Sequence, residues 1–122
     1  MRNVQPIVVN ALEKILPTYF ENFLNPSTEI PCISWNILSN DEIKYGNTVG
    51  VSRQTFMIKI WSTRFEELVR YGEQIDDAMG SLGDKIGRFT RINSDILTDG
   101  ELLCQTLEYQ VLVYENYTNY RL

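Results

Sequence analysis

The apolar residues of this chain alternate between two periods, and that alternation restricts the fold more than any other feature. Val4, Ile7, Val8, Ala11, Leu12 and Ile15 recur at the spacing of an amphipathic helix. Asn3 is placed to cap it and Pro17 to stop it. Pro6 falls in the first turn, where its missing N–H costs nothing. Residues Thr18 to Thr28 lose the pattern; the aromatic stretch Tyr19, Phe20, Phe23, Leu24 reads as a short turn or helical coda closing at Asn25-Pro26. From Ile30 the period becomes two, placing Ile33, Trp35 and Ile37 on one face of a strand and Cys32, Ser34 and Asn36 on the other. Pro31 suits an edge strand or the first residues of a strand.

Ser39 to Gly50 is polar and turn-rich, with Asn40-Asp41, Gly46-Asn47 and Gly50, and reads as a hairpin extension or a long loop. In the next strand, Val51 to Trp61, Phe56, Ile58 and Ile60 make one purely apolar face and Thr55, Met57, Lys59 and Trp61 a mixed one, which assigns it near the sheet centre. A second helix follows. Ser62 and Thr63 can cap it, Glu66 reaching back to Thr63 in a capping box, and Phe65, Leu68, Val69, Ile75, Met79 and Leu82 form its stripe. Gly80 to Gly83 supply its exit. The rest is a hairpin: Ile86 to Leu97 and Leu102 to Glu115 flank Thr98-Asp99-Gly100-Glu101, a strong turn signal. These elements predict an α+β fold in the order α-β-β-α-β-β, with a mainly antiparallel sheet and helices packed on one face. One domain spans 1–122, with 116–122 as a flexible tail.

Composition removes most chemistry. At 122 residues and 14.2 kDa one core is all the chain can build. The absence of histidine excludes Ser-His, Cys-His and His-metal sites. A net charge of -5 argues against a grip on nucleic acid built on phosphate neutralisation. The two cysteines, Cys32 and Cys104, lie far apart in apolar stretches and are expected as small buried hydrophobes. No basic n-region with an apolar h-region opens the chain, so synthesis in the cytosol is expected.

The remaining candidates each have a plainer reading. Asp76-Asp77 is a carboxylate pair, but helix neighbours diverge by about 100° and do not converge on one atom. Gly80-Ser81-Leu82-Gly83-Asp84-Lys85 lacks phosphate-loop spacing and reads as a helix C-cap. Asp95, Asp99 and Glu101 could hold a hard cation, yet turns recruit such residues for backbone hydrogen bonds. Arg53, Lys59, Arg88 and Arg91 form a basic patch only if their strands are neighbours. Tyr45, Tyr114, Tyr117 and Tyr120 fall in loops, the last strand and the tail, where a ring with a polar tip suits a protein interface. No catalytic residue, metal or cofactor is expected.

Three stretches carry a family resemblance. Ile30-Pro31-Cys32-Ile33-Ser34-Trp35 is followed, after a polar loop, by Phe56-Met57-Ile58-Lys59-Ile60-Trp61-Ser62 and then by a helix running Phe65-Glu66-Glu67-Leu68 to Ile75-Asp76-Asp77-Ala78-Met79. With the closing Phe89-Thr90-Arg91 and Leu107-Glu108-Tyr109-Gln110-Val111, the chain resembles the tail terminator (tail completion) proteins of long-tailed bacteriophages from about residue 4 to residue 115. The resemblance implies a hexameric ring that caps the tail tube, ends its polymerisation and joins the head. It implies as partners the tail tube protein and a head-tail connector or head-closure protein, with duplex DNA passing through without specific binding. Location in the virion tail or neck, and in host cytoplasm during assembly, follows from it. Carried over by position, Leu38 to Gly50 becomes the contact loop, mobile before assembly. The interface residues expected are Asp41, Glu42, Lys44, Tyr45, Asn47, Tyr114, Tyr117 and Tyr120. A head-closure or neck adaptor, and a small non-enzymatic domain binding a ligand or peptide between helix and sheet, are the alternatives.

Overall fold

Residues 4–21, 29–45, 48–84 and 87–114 are described by the computed structural model. The first helix, α1 (Gln5–Glu13), buries Val4, Val8 and Leu12, one residue per turn of its stripe, and holds a proline in its first turn. Its N-cap is Val4, which makes no side-chain capping bond; Asn3, the expected cap, lies outside the described residues. Burial of three full aliphatic side chains, about 2 kcal/mol each, holds the helix without the cap.

Thr18–Phe20 forms β1 rather than a turn or coda, pairing in parallel with β2 (Cys32–Tyr45). The amide of Ile33 donates to the carbonyl of Pro17 at 2.8 Å, and Phe20 meets Trp35 edge-on with ring centroids 5.1 Å apart. A three-residue strand is too short to show a period, which is why its pattern was illegible. β3 (Thr48–Ser62) runs antiparallel to β2 and lies at the middle of the order β1-β2-β3-β5-β4. Its expected central place is confirmed: Phe56, Ile58 and Ile60 are wholly buried beneath the helices.

The polar stretch after Leu38 is a paired ribbon, the hairpin extension of the two readings, and not a long loop. Asp41 faces Arg53, Glu42 faces Ser52 and Ile43 faces Val51, so β2 continues to Tyr45, and only Gly46 and Asn47, outside the described residues, separate the strands. Backbone pairing satisfies this segment without apolar side chains. A bulge between Ile37 and Ser39 turns Leu38 outward, where it is exposed.

The second helix, α2 (Phe65–Ser81), buries Leu68, Gly72, Ile75 and Met79 against the sheet, and Leu82 just past its end. Phe65 and Val69, expected on that stripe, are exposed. Gly72 takes the inward place, and a Cβ there would lie 3.0 Å from Oε1 of Gln105, so the helix axis sits close over β5. The N-cap is Arg64, which makes no side-chain capping bond, in place of the expected Thr63–Glu66 box. Ser62 Oγ accepts from the Arg64 amide at 3.1 Å and donates to Glu67 at 3.1 Å, while Glu66 pairs with Arg64.

The closing hairpin is β4 (Phe89–Asp99) and β5 (Leu102–Tyr114). Gly100 turns it in the left-handed region at φ +64. Leu107, Tyr109, Val111 and Val113 all point into the core, as their alternation predicts. The molecule is therefore α+β, two helices on one face of a five-stranded, mostly antiparallel sheet.

Candidate interface surfaces

Register places the expected contact residues. Ile43 faces Val51, which faces Tyr114 on its other side, so Asp41, Glu42, Lys44 and Tyr45 of β2 and Tyr114 of β5 gather at one end of the sheet. Asp41 and Glu42 are exposed there. Asn47, Tyr117 and Tyr120 lie outside the described residues.

The four cations do not form one patch. Arg53 and Arg88 share a hollow of about 280 Å³ on the face away from the helices, floored by Thr90, Gln110 and Leu112. Lys59 lies on the same face but is tied to Glu21 at 2.5 Å. Arg91 points to the opposite face, where Nη1 donates to Asp76 Oδ2 at 2.8 Å. Strand alternation decides the split: Arg91 opposes buried Tyr109, whereas Thr90 opposes Gln110.

The carboxylates also part company. Asp76 accepts from both Arg91 and the hydroxyl of Tyr109, and Asp77 is exposed. Sequence reading missed this three-residue contact, since nothing local links Asp76 on α2 with Tyr109 on β5. Burial, with the adjacent Asp76 carboxylate accepting the hydroxyl hydrogen, pushes the Tyr109 hydroxyl well above its usual range. Asp95 spends Oδ1 on the Ile96 amide at 2.9 Å, as a local turn-type bond would. At the end of α2, Ser81 Oγ donates to the Asp77 carbonyl at 3.0 Å. Among the described residues no group of three or more Cys, Asp or Glu side chains is gathered as metal ligands would be.

Cys32 and Cys104 are free and buried on the outer face, each facing Trp61 from opposite sides. Trp61 closes over this end, its Nε1–H donating to Ser34 Oγ at 2.9 Å. Burial, helped by the neighbouring Cys104, pushes the Cys32 thiol up to about 11. A second hollow, about 420 Å³, opens between the helices and is lined by Ala11, Lys14, Ile15, Asp77 and Leu82 among others. No helix among the described residues is long and apolar enough to cross a membrane.

No family model matches the chain. No curated protein matches it either. Among solved structures, it is similar to a chain of the virion of a native gene transfer agent particle, with 11% identity, a TM-score of 0.42 and coverage of 88% of this chain and 84% of that one.

Proposed function

We propose that this chain is a non-enzymatic phage assembly protein that forms a ring, caps the tail tube, ends its polymerisation and presents the surface that joins the head. The observation that carries the reading is the long β2–β3 ribbon of 14 and 15 residues, whose polar end bears Asp41, Glu42, Lys44 and Tyr45 beside Tyr114. Tyrosines and mixed charge brought by register to one end of a small domain suit contact with protein. The order of the sequence motifs resembling tail terminators supports it. The ring's partners are the tail tube protein and a head-tail connector. DNA passes a subunit of net charge -5 without being gripped. Such a protein acts in the virion neck, after assembly in host cytoplasm.

The space between helix and sheet, where a small ligand-binding domain would take its ligand, is filled by Phe56, Ile58 and Leu107, which disfavours that alternative. The test is assembly with the cognate tube protein. Six 14.2-kDa copies give a particle of about 85 kDa with a central pore in negative stain, and added ring halts tube growth in vitro. Tubes that lengthen unchanged overturn the reading. Binding to a portal-side connector with no effect on tubes reassigns the protein to head closure.

A further inference from the structure

The charged side chains divide into those already paired and those left over. Among the described residues Lys59 pairs with Glu21, Arg64 with Glu66, Arg70 with Glu67 and Arg91 with Asp76. Arg53 and Arg88 are the two arginines left without an ion pair among the described residues, and they line one hollow together. Asp41 lies opposite Arg53 across the β2–β3 ladder, yet the two make no ion pair. Half-exposed Leu112, at 40%, forms the apolar part of the same hollow.

The opposite side of the molecule carries the complement. Of the acids on α2, Glu66, Glu67 and Asp76 are engaged, whereas Glu73 and Asp77 are exposed and unpaired. Lys14 shares the inter-helix groove with Asp77 without an ion pair between them. Residues four apart on a helix stand one above the other, about 6 Å between Cβ atoms. Glu73 and Asp77 therefore continue the row begun by Phe65 and Val69, which are 57% and 44% exposed. The outward row of α2 reads apolar, apolar, acidic, acidic, and the hollow on the far face of the sheet offers two guanidiniums beside a leucine.

We infer that α2 of one copy docks its Glu73–Asp77 pair into the Arg53–Arg88 hollow of a second copy. Each guanidinium gains the carboxylate that its own chain does not supply, in a fork geometry arginine favours. The two surfaces lie on opposite sides of the sheet, so the contact is heterologous: it repeats head to tail and closes only as a ring or runs on as a filament. This contact rests on the ring reading for its closure and supplies the surface on which a ring is built.

Charge exchange tests it, because all four side chains are exposed and their replacement leaves the core intact. Assembly is followed by sedimentation velocity and far-UV circular dichroism for the wild type, R53E/R88E, E73R/D77R and the combined four-fold variant. Each double variant is expected to weaken assembly at least ~100-fold while remaining folded, and the four-fold variant to reassemble. Double variants that assemble like the wild type overturn the contact and leave the ring standing. A folded four-fold variant that stays monomeric overturns it as well. A wild type that stays monomeric at every concentration removes both the ring and the contact.

Discussion

Tyr109 of β5 donates its hydroxyl hydrogen to Asp76 of α2, and Arg91 of β4 donates to the other oxygen of the same carboxylate at 2.8 Å. The tyrosine is 2% exposed, so this bond ties helix to sheet from the buried side, while the Asp76 carboxylate also reaches solvent. Tyr109→Phe is expected to cost about 1.5 kcal/mol, the worth of a hydrogen bond to a charged group. For a domain of this size that lowers the melting temperature by about 6 °C, read by far-UV circular dichroism. An unchanged melt would show that the contact adds nothing.

Alkaline pH is expected to loosen the fold. Burial raises the Tyr109 hydroxyl, the Cys32 thiol to about 11, and the Cys104 thiol. In the unfolded chain these groups ionise near pH 9 to 10, earlier than in the fold, so the unfolded state gains by losing protons first. The stability they lend is complete below about pH 8 and is lost as pH climbs towards 11 and beyond. Melting temperature measured from pH 8 to 11 should fall. In absorbance titration at constant temperature, one of the seven tyrosines should ionise last, together with unfolding.

Gly87 precedes β4 at φ +142, and a Cβ there would stand 2.2 Å from the carbonyl oxygen of Leu112. Neither the backbone angle nor the neighbouring backbone can yield cheaply. Gly87→Ala is expected to destabilise by more than 2 kcal/mol, whereas Gly80→Ala, exposed in α2 with open space around it, is expected to stabilise by up to about 1 kcal/mol. Denaturant midpoints of the two variants separate these outcomes.

Ser62, one of the two caps expected for α2, bonds the Arg64 amide and the Glu67 carboxylate at the start of the helix, whereas Thr63 is exposed. Ser62→Ala should cost about 1 kcal/mol and Thr63→Ala close to nothing. Urea unfolding that ranks them the other way would restore the Thr63–Glu66 box.

Cys32 and Cys104 stand on either side of Trp61, two inter-strand steps or about 10 Å apart, beyond the roughly 7 Å that a disulfide spans. Mild oxidants should leave both thiols free. A thiol reagent such as DTNB should label them slowly in the native protein and within seconds in denaturant.

Much of the fold was legible because it rests on long periodic segments. The alternation in Val51 to Trp61 and Leu107 to Val113 identified the central strands, and the Asp99-Gly100 pair located the last turn. What escaped had no periodic signal. Three residues of β1 are too few to show one, and the polar residues of Asn40 to Lys44 pair through their backbones, to which side-chain polarity is indifferent. The tyrosine and acidic end of the sheet was visible as a list of residues, but its assembly at one place required the register of β2, β3 and β5.

The sequence by itself determined the class of fold, the inward faces of its strands and the lack of histidine chemistry, because these follow from composition and from the two periods of apolar residues. Only the tertiary structure decided which charges find partners. Arg91 and Arg53 look alike along the chain, yet strand pairing and the pleat send one to Asp76 beneath α2 and leave the other beside Arg88 in a hollow on the far face. Pairing of this kind joins residues on different elements, 15 positions apart for Arg91 and Asp76, and no local preference encodes it.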